Sequence, residues 1–152
     1  MIINLKHRCP PTIFSDIDGT IWKHEYDIRH SMNGTQRLLP GVFDKFLEWH
    51  RQGFKIILTT GRPEFLREET ERQLRELGVF YNQLVMDCGP GPRILINDTE
   101  ERPDETKFTP LDARELDLRR GRAKAQAVNL IRDHGMEDLE INYTQEKDED
   151  AE

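Results

Sequence analysis

The sequence predicts an α/β protein with a mostly parallel sheet, and three observations support this fold class. Short apolar runs alternate with longer amphipathic segments along the chain. The apolar runs are nearly continuous, which is typical of strands that are buried on both faces. Polar residues directly follow several of these runs, at the strand ends where such sheets place their binding sites. We therefore expect a parallel sheet that helices cover on both faces.

The first half of the chain contains two strand and helix pairs. TIFS (12–15) is the first predicted strand and ends at the turn DIDGT (16–20). PGVFDKFLEWHRQG (40–53) then predicts a helix, FKIILTT (54–60) a second buried strand, and GRPEFLREETERQLRELG (61–78) a second helix that begins near Pro63 and ends at Gly78. The predicted apolar faces of the two helices consist of Val42, Phe43, Phe46 and Leu47, and of Phe65, Leu66, Leu74 and Leu77.

The second half predicts three further strands and one more helix. The strands are QLVMD (83–87), RILIN (93–97) and LEINY (139–143), and the helix is GRAKAQAVNLIRDHG (121–135), with Ala123, Ala127, Leu130 and Ile131 as its core stripe. Residues 98–120 are charged and lack periodicity, which indicates a long loop. We expect one domain over 1–143, with a flap at about 21–36, followed by an acidic, disordered tail over 144–152.

Composition excludes several functional classes. The chain has 152 residues, which is a common size for one domain, with 36% hydrophobic residues, 34% charged residues and a net charge of −7. That charge argues against general binding of nucleic acid, whose affinity comes from Lys and Arg at phosphates. No apolar stretch approaches membrane length, so we expect no membrane partner. The two cysteines, Cys9 and Cys88, form no CxxC pair; we expect a reduced, cytoplasmic setting, with one disulfide between them left open.

Three predicted strands end in polar residues that a parallel sheet brings to one edge. Asp16 and Asp18 follow the first strand, Thr59 and Thr60 end the second, and Asp98 follows RILIN. Converging carboxylates repel one another, and a shared proton or a divalent cation relieves that repulsion. Oxygen ligands without clustered Cys or His favour a hard ion such as Mg²⁺, which also binds phosphate oxygens. The sequence therefore predicts phosphate chemistry at this edge.

The two aspartates of DIDGT have complementary roles in such chemistry. Asp16 can attack phosphorus once cations reduce the repulsion between the anions, which forms an aspartyl phosphate. Asp18 can protonate the leaving oxygen and then deprotonate water, while Gly19 allows the sharp turn. The competing interpretation of each piece is structural: a turn at Asp16 and Asp18, a helix cap at Thr59 and Thr60, and a turn residue at Asp98.

DIDGT (16–20), ILTTGR (57–62) and the strand-terminal Asp98 resemble, in order and spacing, the first, second and fourth motifs of the haloacid dehalogenase-like phosphohydrolases. The resemblance covers roughly residues 12–100. It implies a Rossmann-like three-layer α/β/α sandwich and a Mg²⁺ cofactor. It also implies Asp16 as nucleophile, Asp18 as acid and base, and phosphate-binding groups at Thr60, Gly61, Arg62 and Lys124. Asp16, Asp18 and Asp98 would hold the metal, Asp18 through its backbone carbonyl.

The chain departs from the family pattern at the third and fourth motifs. The third motif supplies a basic residue, and its candidates here are Lys107, Lys124, Arg93 and Arg62. Asn97 stands where the family often has a second acidic metal ligand, a role left to Glu100 or Glu101.

The spacing between motifs leaves no room for a folded cap domain, so we expect a capless enzyme. An open site admits a large substrate or is covered by a neighbouring subunit in a homo-oligomer. The flap residues expected to contact substrate are Trp22, Lys23, His24 and Tyr26.

The predicted function is a Mg²⁺-dependent phosphomonoesterase that acts on a sugar phosphate or another small metabolite. One alternative is a phosphatase of nucleotide or polynucleotide ends. The other is a noncatalytic phosphate-binding or scaffold domain.

Overall fold

A computed structural model of the chain describes residues 1–25, 36–97, 99–100, 122–123 and 125–147. The chain divides into two compact units, one formed by Met1–Pro90 with Leu130–Glu152 and the other by Gly91–Asn129. Most of the predicted flap and the end of the predicted acidic tail lie outside the described residues. Among the helices within these ranges, none is long and apolar enough to cross a membrane.

The larger unit contains a three-stranded parallel sheet. Its strands are β2 (Thr12–Asp16), β3 (Lys55–Thr59) and β4 (Gln83–Val85), in the order β2, β3, β4. Helix α1 (Val42–Arg51) connects β2 to β3, and a 3₁₀ turn (Glu64–Leu66) followed by α2 (Arg67–Glu76) connects β3 to β4. Parallel strands joined by helices confirm the predicted α/β class and are consistent with a Rossmann-like fold.

The core of this unit lies on one face of the sheet. Alternate residues of β3, Ile56 and Leu58, are buried, and Leu84 of β4 is buried beside them. Helix α1 packs against β3, and the buried apolar residues of the helices and the 3₁₀ turn are Val42, Phe46, Trp49, Leu66 and Leu74.

Two aromatic residues expected in the core are exposed. Phe43 lies one position off the buried repeat of α1 and contacts Phe80, with ring centroids 6.5 Å apart. Phe65 is 70% exposed because it sits in the 3₁₀ turn, whose period of three residues does not continue the apolar stripe of α2. The predicted core positions of both residues are therefore wrong.

A second parallel pair joins the two ends of the described chain. Strand β1 (Ile2–His7) pairs with β7 (Glu140–Gln145), with Ile2 opposite Glu140 and His7 opposite Gln145. The predicted strand LEINY is thus confirmed, and it continues to Gln145, into the region expected to be a disordered tail. The rings of Tyr143 and Phe54 lie nearly perpendicular with centroids 5.9 Å apart, and Phe54 is buried in the core.

The smaller unit contains a short antiparallel pair, β5 (Thr99–Glu100) and β6 (Arg122–Ala123). RILIN is not a strand: Ile94 and Ile96 are 85% and 88% exposed. A strand needs a partner for its backbone groups, and Pro90 and Pro92 just before this segment remove two backbone donors.

The predicted helix over 121–135 is also wrong, since residues 125–131 are irregular and 132–134 form a turn. In its expected core stripe Ala127 is exposed, Leu130 is half-buried and Ile131 is 73% exposed. Helix propensity alone does not maintain so short a helix when its apolar side is not buried.

Candidate functional site

The DIDGT turn is built by backbone hydrogen bonds that close on Ile17. The amides of Thr20 and Ile21 donate to the Ile17 carbonyl at 3.1 and 2.8 Å, and the Gly19 amide donates to the Trp22 carbonyl at 2.7 Å. Gly19 has φ +86°, a left-handed conformation that favours glycine. The turn therefore reverses the chain directly after β2 and brings Asp18 beside Trp22.

The first two predicted motifs meet at the carboxyl ends of β2 and β3. Asp16 lies opposite Thr59 in the parallel register. Its Oδ2 accepts a long hydrogen bond, 3.5 Å, from the hydroxyl of Thr20. Thr60 follows in a buried position, and its amide donates to the Val85 carbonyl at the end of β4 at 3.0 Å. The strand register therefore places the ends of the first two predicted motifs side by side, while the third predicted group, Asp98, lies outside the described residues.

A bidentate ion pair joins Asp18 to Arg62. The Nε and one terminal nitrogen of Arg62 donate to the two carboxylate oxygens of Asp18, both at 3.0 Å. The Trp22 indole N–H donates to Oδ1 of Asp18 at 2.8 Å. With three donors on one carboxylate, the orientation of Asp18 is fixed.

The other side of the Arg62 guanidinium is held by α2. Its second terminal nitrogen donates to the Thr70 hydroxyl at 3.0 Å and to the Gln73 amide oxygen at 2.9 Å. The Trp22 ring lies against the guanidinium carbon at 5.0 Å from the ring centroid, a cation–π contact. The Arg62 side chain is only 5% exposed. We call these five residues, Asp18, Trp22, Arg62, Thr70 and Gln73, the arginine cluster.

The arginine cluster changes how two predicted site residues are understood. The Arg62 side chain donates four hydrogen bonds within the cluster, two to Asp18 and two to residues of α2. Its predicted role in phosphate binding stays a prediction. Trp22 has 0% exposure, so its expected contact with substrate is wrong. Trp22 instead supports Asp18 from a buried position, because its indole N–H donates to Asp18 and its ring packs on Arg62.

Sequence reasoning missed Thr70 and Gln73, although the sequence contains a signal for them. Both lie on the buried side of α2, together with Leu74. Polar residues in a buried helical stripe require hydrogen-bond partners, so their position indicates a buried polar contact.

A loop after β4 packs against the second motif. The amide of Asp87 donates to the Arg62 carbonyl at 2.8 Å, and the amide of Cys88 donates to the Thr60 carbonyl at 3.0 Å. A Cβ on Gly61 would lie 3.1 Å from the Gly89 carbonyl oxygen, so a side chain at this exposed position would displace the loop. Cys88 and Cys9 are both exposed free thiols, so the disulfide left open by the sequence is not formed.

Several predicted site residues fall outside the part of the chain that the structure describes. Asp98, Glu101, Lys107, Lys124 and Tyr26 lie outside the described residues, and Glu100 is described only as part of β5. Arg93 is exposed and belongs to the smaller unit. Within the described ranges no group of three or more His, Cys, Asp or Glu could hold a metal ion.

The outward side of α2 also carries arginine–carboxylate pairs. Arg72 binds both Glu69, one turn before it, and Glu76, one turn after it, at 2.6 Å for the latter. Hydrogen bonding from Arg72 is the main cause that lowers the pKa of Glu69, and Arg62 adds to it electrostatically. Arg72 and Glu76 are 39% and 60% exposed and Glu69 is 24% exposed, so Arg72 is much more exposed than Arg62. Glu69 also accepts a long hydrogen bond, 3.4 Å, from the amide of Gln73.

Comparisons with known proteins found few relatives. Neither protein-family models nor curated proteins match the chain. One solved structure, described as "Structure of Pnkp1/Rnl/Hen1 complex", shares 29% sequence identity with this chain at a TM-score of 0.47. The match covers 56% of this chain and 30% of that chain.

Proposed function

We propose that the protein is a Mg²⁺-dependent phosphatase that hydrolyses a phosphomonoester through an aspartyl phosphate on Asp16. The observation that carries this proposal is the meeting of Asp16, Asp18 and Thr60 at the carboxyl ends of two adjacent parallel strands, with Asp18 fixed by Arg62. This is the edge at which open α/β sheets bind ligands. Two carboxylates and a hydroxyl there match the motifs that the sequence resembles.

Asp16 is the nucleophile in this proposal. One of its carboxylate oxygens attacks phosphorus, and the bond from phosphorus to the alcohol oxygen breaks. Water then attacks the aspartyl phosphate, which releases inorganic phosphate and restores the carboxylate. Thr60 is 1% exposed and its hydroxyl accepts from the Arg62 amide at 3.1 Å, so it supports the second motif from within rather than contacting the phosphate.

Asp18 is the proton donor to the leaving alcohol and the base toward water. Its Oδ1 accepts from both Trp22 and Arg62, whereas Oδ2 accepts from Arg62 alone among the described donors. A carboxylate oxygen has two lone pairs, so Oδ2 is the atom with capacity for the transferred proton. The Asp18 side chain is 22% exposed, which leaves it accessible to water and substrate.

The donor set at this edge is compatible with Mg²⁺. Arg62 occupies the Asp18 side chain, so the oxygen ligands that the described residues would provide are the Asp16 carboxylate and the Asp18 backbone carbonyl. Mg²⁺ keeps several waters and binds through one or two carboxylates, which suits such a sparse site. When bound, it would reduce the repulsion between Asp16 and the phosphate dianion.

The test is release of p-nitrophenol from p-nitrophenyl phosphate by the native chain, with and without Mg²⁺. Asp16→Asn is expected to lower turnover at least about a thousandfold, since an amide is a poor nucleophile. Glu48→Gln, an exposed acid-to-amide change on α1, is the matched control and is expected to retain turnover. Equal activity in Asp16→Asn and the native chain would refute the proposal.

Asp18→Asn tests the division of roles. p-Nitrophenolate leaves without a proton, so the first step is expected to continue in this variant while hydrolysis of the acyl phosphate slows. The expected result is a burst of p-nitrophenol and a phosphorylated protein detectable by mass spectrometry. Loss of both steps together would contradict the assigned role of Asp18. Sugar phosphates and 3′-phosphorylated oligonucleotides, compared at equal concentration, then distinguish a metabolite phosphatase from a nucleic-acid end phosphatase.

A further inference from the structure

The Arg62 guanidinium is held on two sides. On one side, Nε and one terminal nitrogen donate to the two carboxylate oxygens of Asp18, both at 3.0 Å. At the other terminal nitrogen, the Thr70 hydroxyl accepts at 3.0 Å and the Gln73 amide oxygen accepts at 2.9 Å. A guanidinium is planar and rigid, so a contact at one nitrogen determines the direction of the other two. The two residues of α2 therefore set the direction from which Arg62 meets Asp18.

Gln73 is itself oriented by a second contact on α2. Its amide nitrogen donates a long hydrogen bond, 3.4 Å, to the Glu69 carboxylate, while its amide oxygen accepts from Arg62 at 2.9 Å. Gln73 is 2% exposed, and the dense packing of a protein interior leaves such a side chain few other positions. The amide oxygen of Gln73 is thus directed at the guanidinium.

A neutral acceptor at this position leaves the positive charge of Arg62 for Asp18. Glu69 lies within electrostatic reach of Arg62: hydrogen bonding from Arg72 is the main cause that lowers the pKa of Glu69, and Arg62 adds to it. The described hydrogen-bond donors to the Glu69 carboxylate are Arg72 and Gln73. Gln73 thus bridges the guanidinium and a carboxylate that would otherwise compete with Asp18 for it.

We propose that Gln73 is a positioning residue for the proton transfers of Asp18 and acts through Arg62. The inference rests on the proposed function, because that function makes Asp18 the acid and base. Oδ2 of Asp18, the atom with capacity for the transferred proton, accepts from the Nε of the guanidinium that Gln73 orients. Displacement of this oxygen slows the reaction, since misplacement by about 1 Å can reduce a rate about a hundredfold.

This positioning affects only substrates whose leaving group needs a proton. As the bond from phosphorus to the leaving oxygen breaks, the proton on Oδ2 of Asp18 passes to that oxygen and Asp18 becomes a carboxylate. The phenolate of phenyl phosphate is basic and needs this proton, whereas p-nitrophenolate leaves without it. The two esters differ by one nitro group, so comparing them separates proton transfer from the other steps.

The test compares kcat/KM for phenyl phosphate with kcat/KM for p-nitrophenyl phosphate, which covers the steps up to release of the alcohol. Gln73→Met keeps the length of the side chain and removes its acceptor. It is expected to lower the phenyl to p-nitrophenyl ratio at least about tenfold. Gln83→Met, at an exposed position of β4, is the matched control and is expected to keep the native ratio. Both values come from one sample, so a loss of folded protein cancels in the ratio.

Two further variants show whether the effect passes through Arg62 and Asp18. Thr70→Val removes the other acceptor of the same nitrogen, so it is expected to lower the ratio in the same direction even if Gln73→Met does not fold. Asp18→Asn is expected to lower the ratio most. Adding Gln73→Met to Asp18→Asn is expected to change the ratio less than about twofold, because residues that act as one unit are not additive.

An unchanged ratio in both Gln73→Met and Thr70→Val, or an equal fall in kcat/KM for the two esters, would overturn the positioning role. The proposed function would then still stand if turnover by the native chain depends on Asp16. A native chain that hydrolyses neither ester would refute the proposed function, and the role of Gln73 with it.

Discussion

Arginine–carboxylate pairs lie on both sides of helix α2: Arg62 with Asp18 on the inner side, and Arg72 with two glutamates on the outer side. On its inner side Thr70 and Gln73 hold Arg62, which binds Asp18 in the arginine cluster with 5% of its side chain exposed. On its outer side Arg72, which is 39% exposed, binds Glu69 and Glu76, so the two regions differ chiefly in the burial of their arginines. The chemical groups are the same, but a buried charge that loses its partner cannot recover the lost interaction from solvent, whereas an exposed charge can. The contrast predicts that stability and activity depend on the inner contacts.

The largest expected effect is that of Arg62→Met. The change leaves the Trp22 indole as the described donor to Asp18, and it removes the guanidinium that donates to the Thr70 hydroxyl and the Gln73 amide oxygen. We expect a loss of about 3 kcal/mol in the free energy of unfolding, at the low end for a broken buried pair because Asp18 is partly exposed. Urea unfolding measures it. The double variant Arg62→Met with Asp18→Asn is expected to lose less than the sum of the single changes, since it removes both charges together.

Arg72→Met is the matched change on the outer side. If it destabilised the protein as much as Arg62→Met, burial would not be what distinguishes the two regions.

Thr70→Val is expected to have a smaller effect. The substitution keeps the shape of a side chain with 0% exposure but removes one acceptor from Arg62, whose nitrogen keeps Gln73 as a partner. The expected loss is about 1 kcal/mol. Thr12→Val, at an exposed position of β2, is the control. A gain in stability in Thr70→Val would mean that the hydroxyl does not support the guanidinium.

Arg72→Gln is expected to reduce stability less than Thr70→Val, and salt should remove the difference from the native chain. Exposed pairs gain little over their interaction with water, and ions screen what remains. Unfolding at low salt and in 1 M NaCl measures the effect. A difference from the native chain that persists at high salt would indicate a packed rather than an electrostatic role for Arg72.

The smallest effect concerns pH. Arg72 lowers the pKa of Glu69 in the folded chain, so this contribution to stability is present above the unfolded-state pKa of Glu69 and is lost as pH falls through the lowered folded-state value. The stability difference between the native chain and Glu69→Gln should therefore shrink as pH drops from about 5 to about 3. A difference that grew toward low pH would contradict the direction of the shift.

The difference between local patterns and long-range contacts explains which parts of the structure the sequence could predict. The strands that end at Asp16 and Thr59 and the helices α1 and α2 follow from local periodicity. The position of Asp16 and Thr59 at one edge of the sheet follows from parallel pairing. The partner that matters most to the site, Asp18, lies 44 positions before Arg62, and a lone arginine after a strand does not indicate this contact. RILIN shows the converse error, because an apolar run becomes a strand only where another strand accepts its hydrogen bonds.

The pairing of β1 with β7 also determines an order of events during protein synthesis. Residues bonded across this pair, such as Asn4 and Asn142, are 138 positions apart. A ribosome completes the segments for β2, β3, β4 and both helices before β7 exists, so β1 waits with an unpaired edge throughout that time. Unpaired edges invite association with other chains, and closing so long a loop is slow. Pairing of β1 is therefore expected to be slow in the nascent chain, because it begins only when β7 emerges.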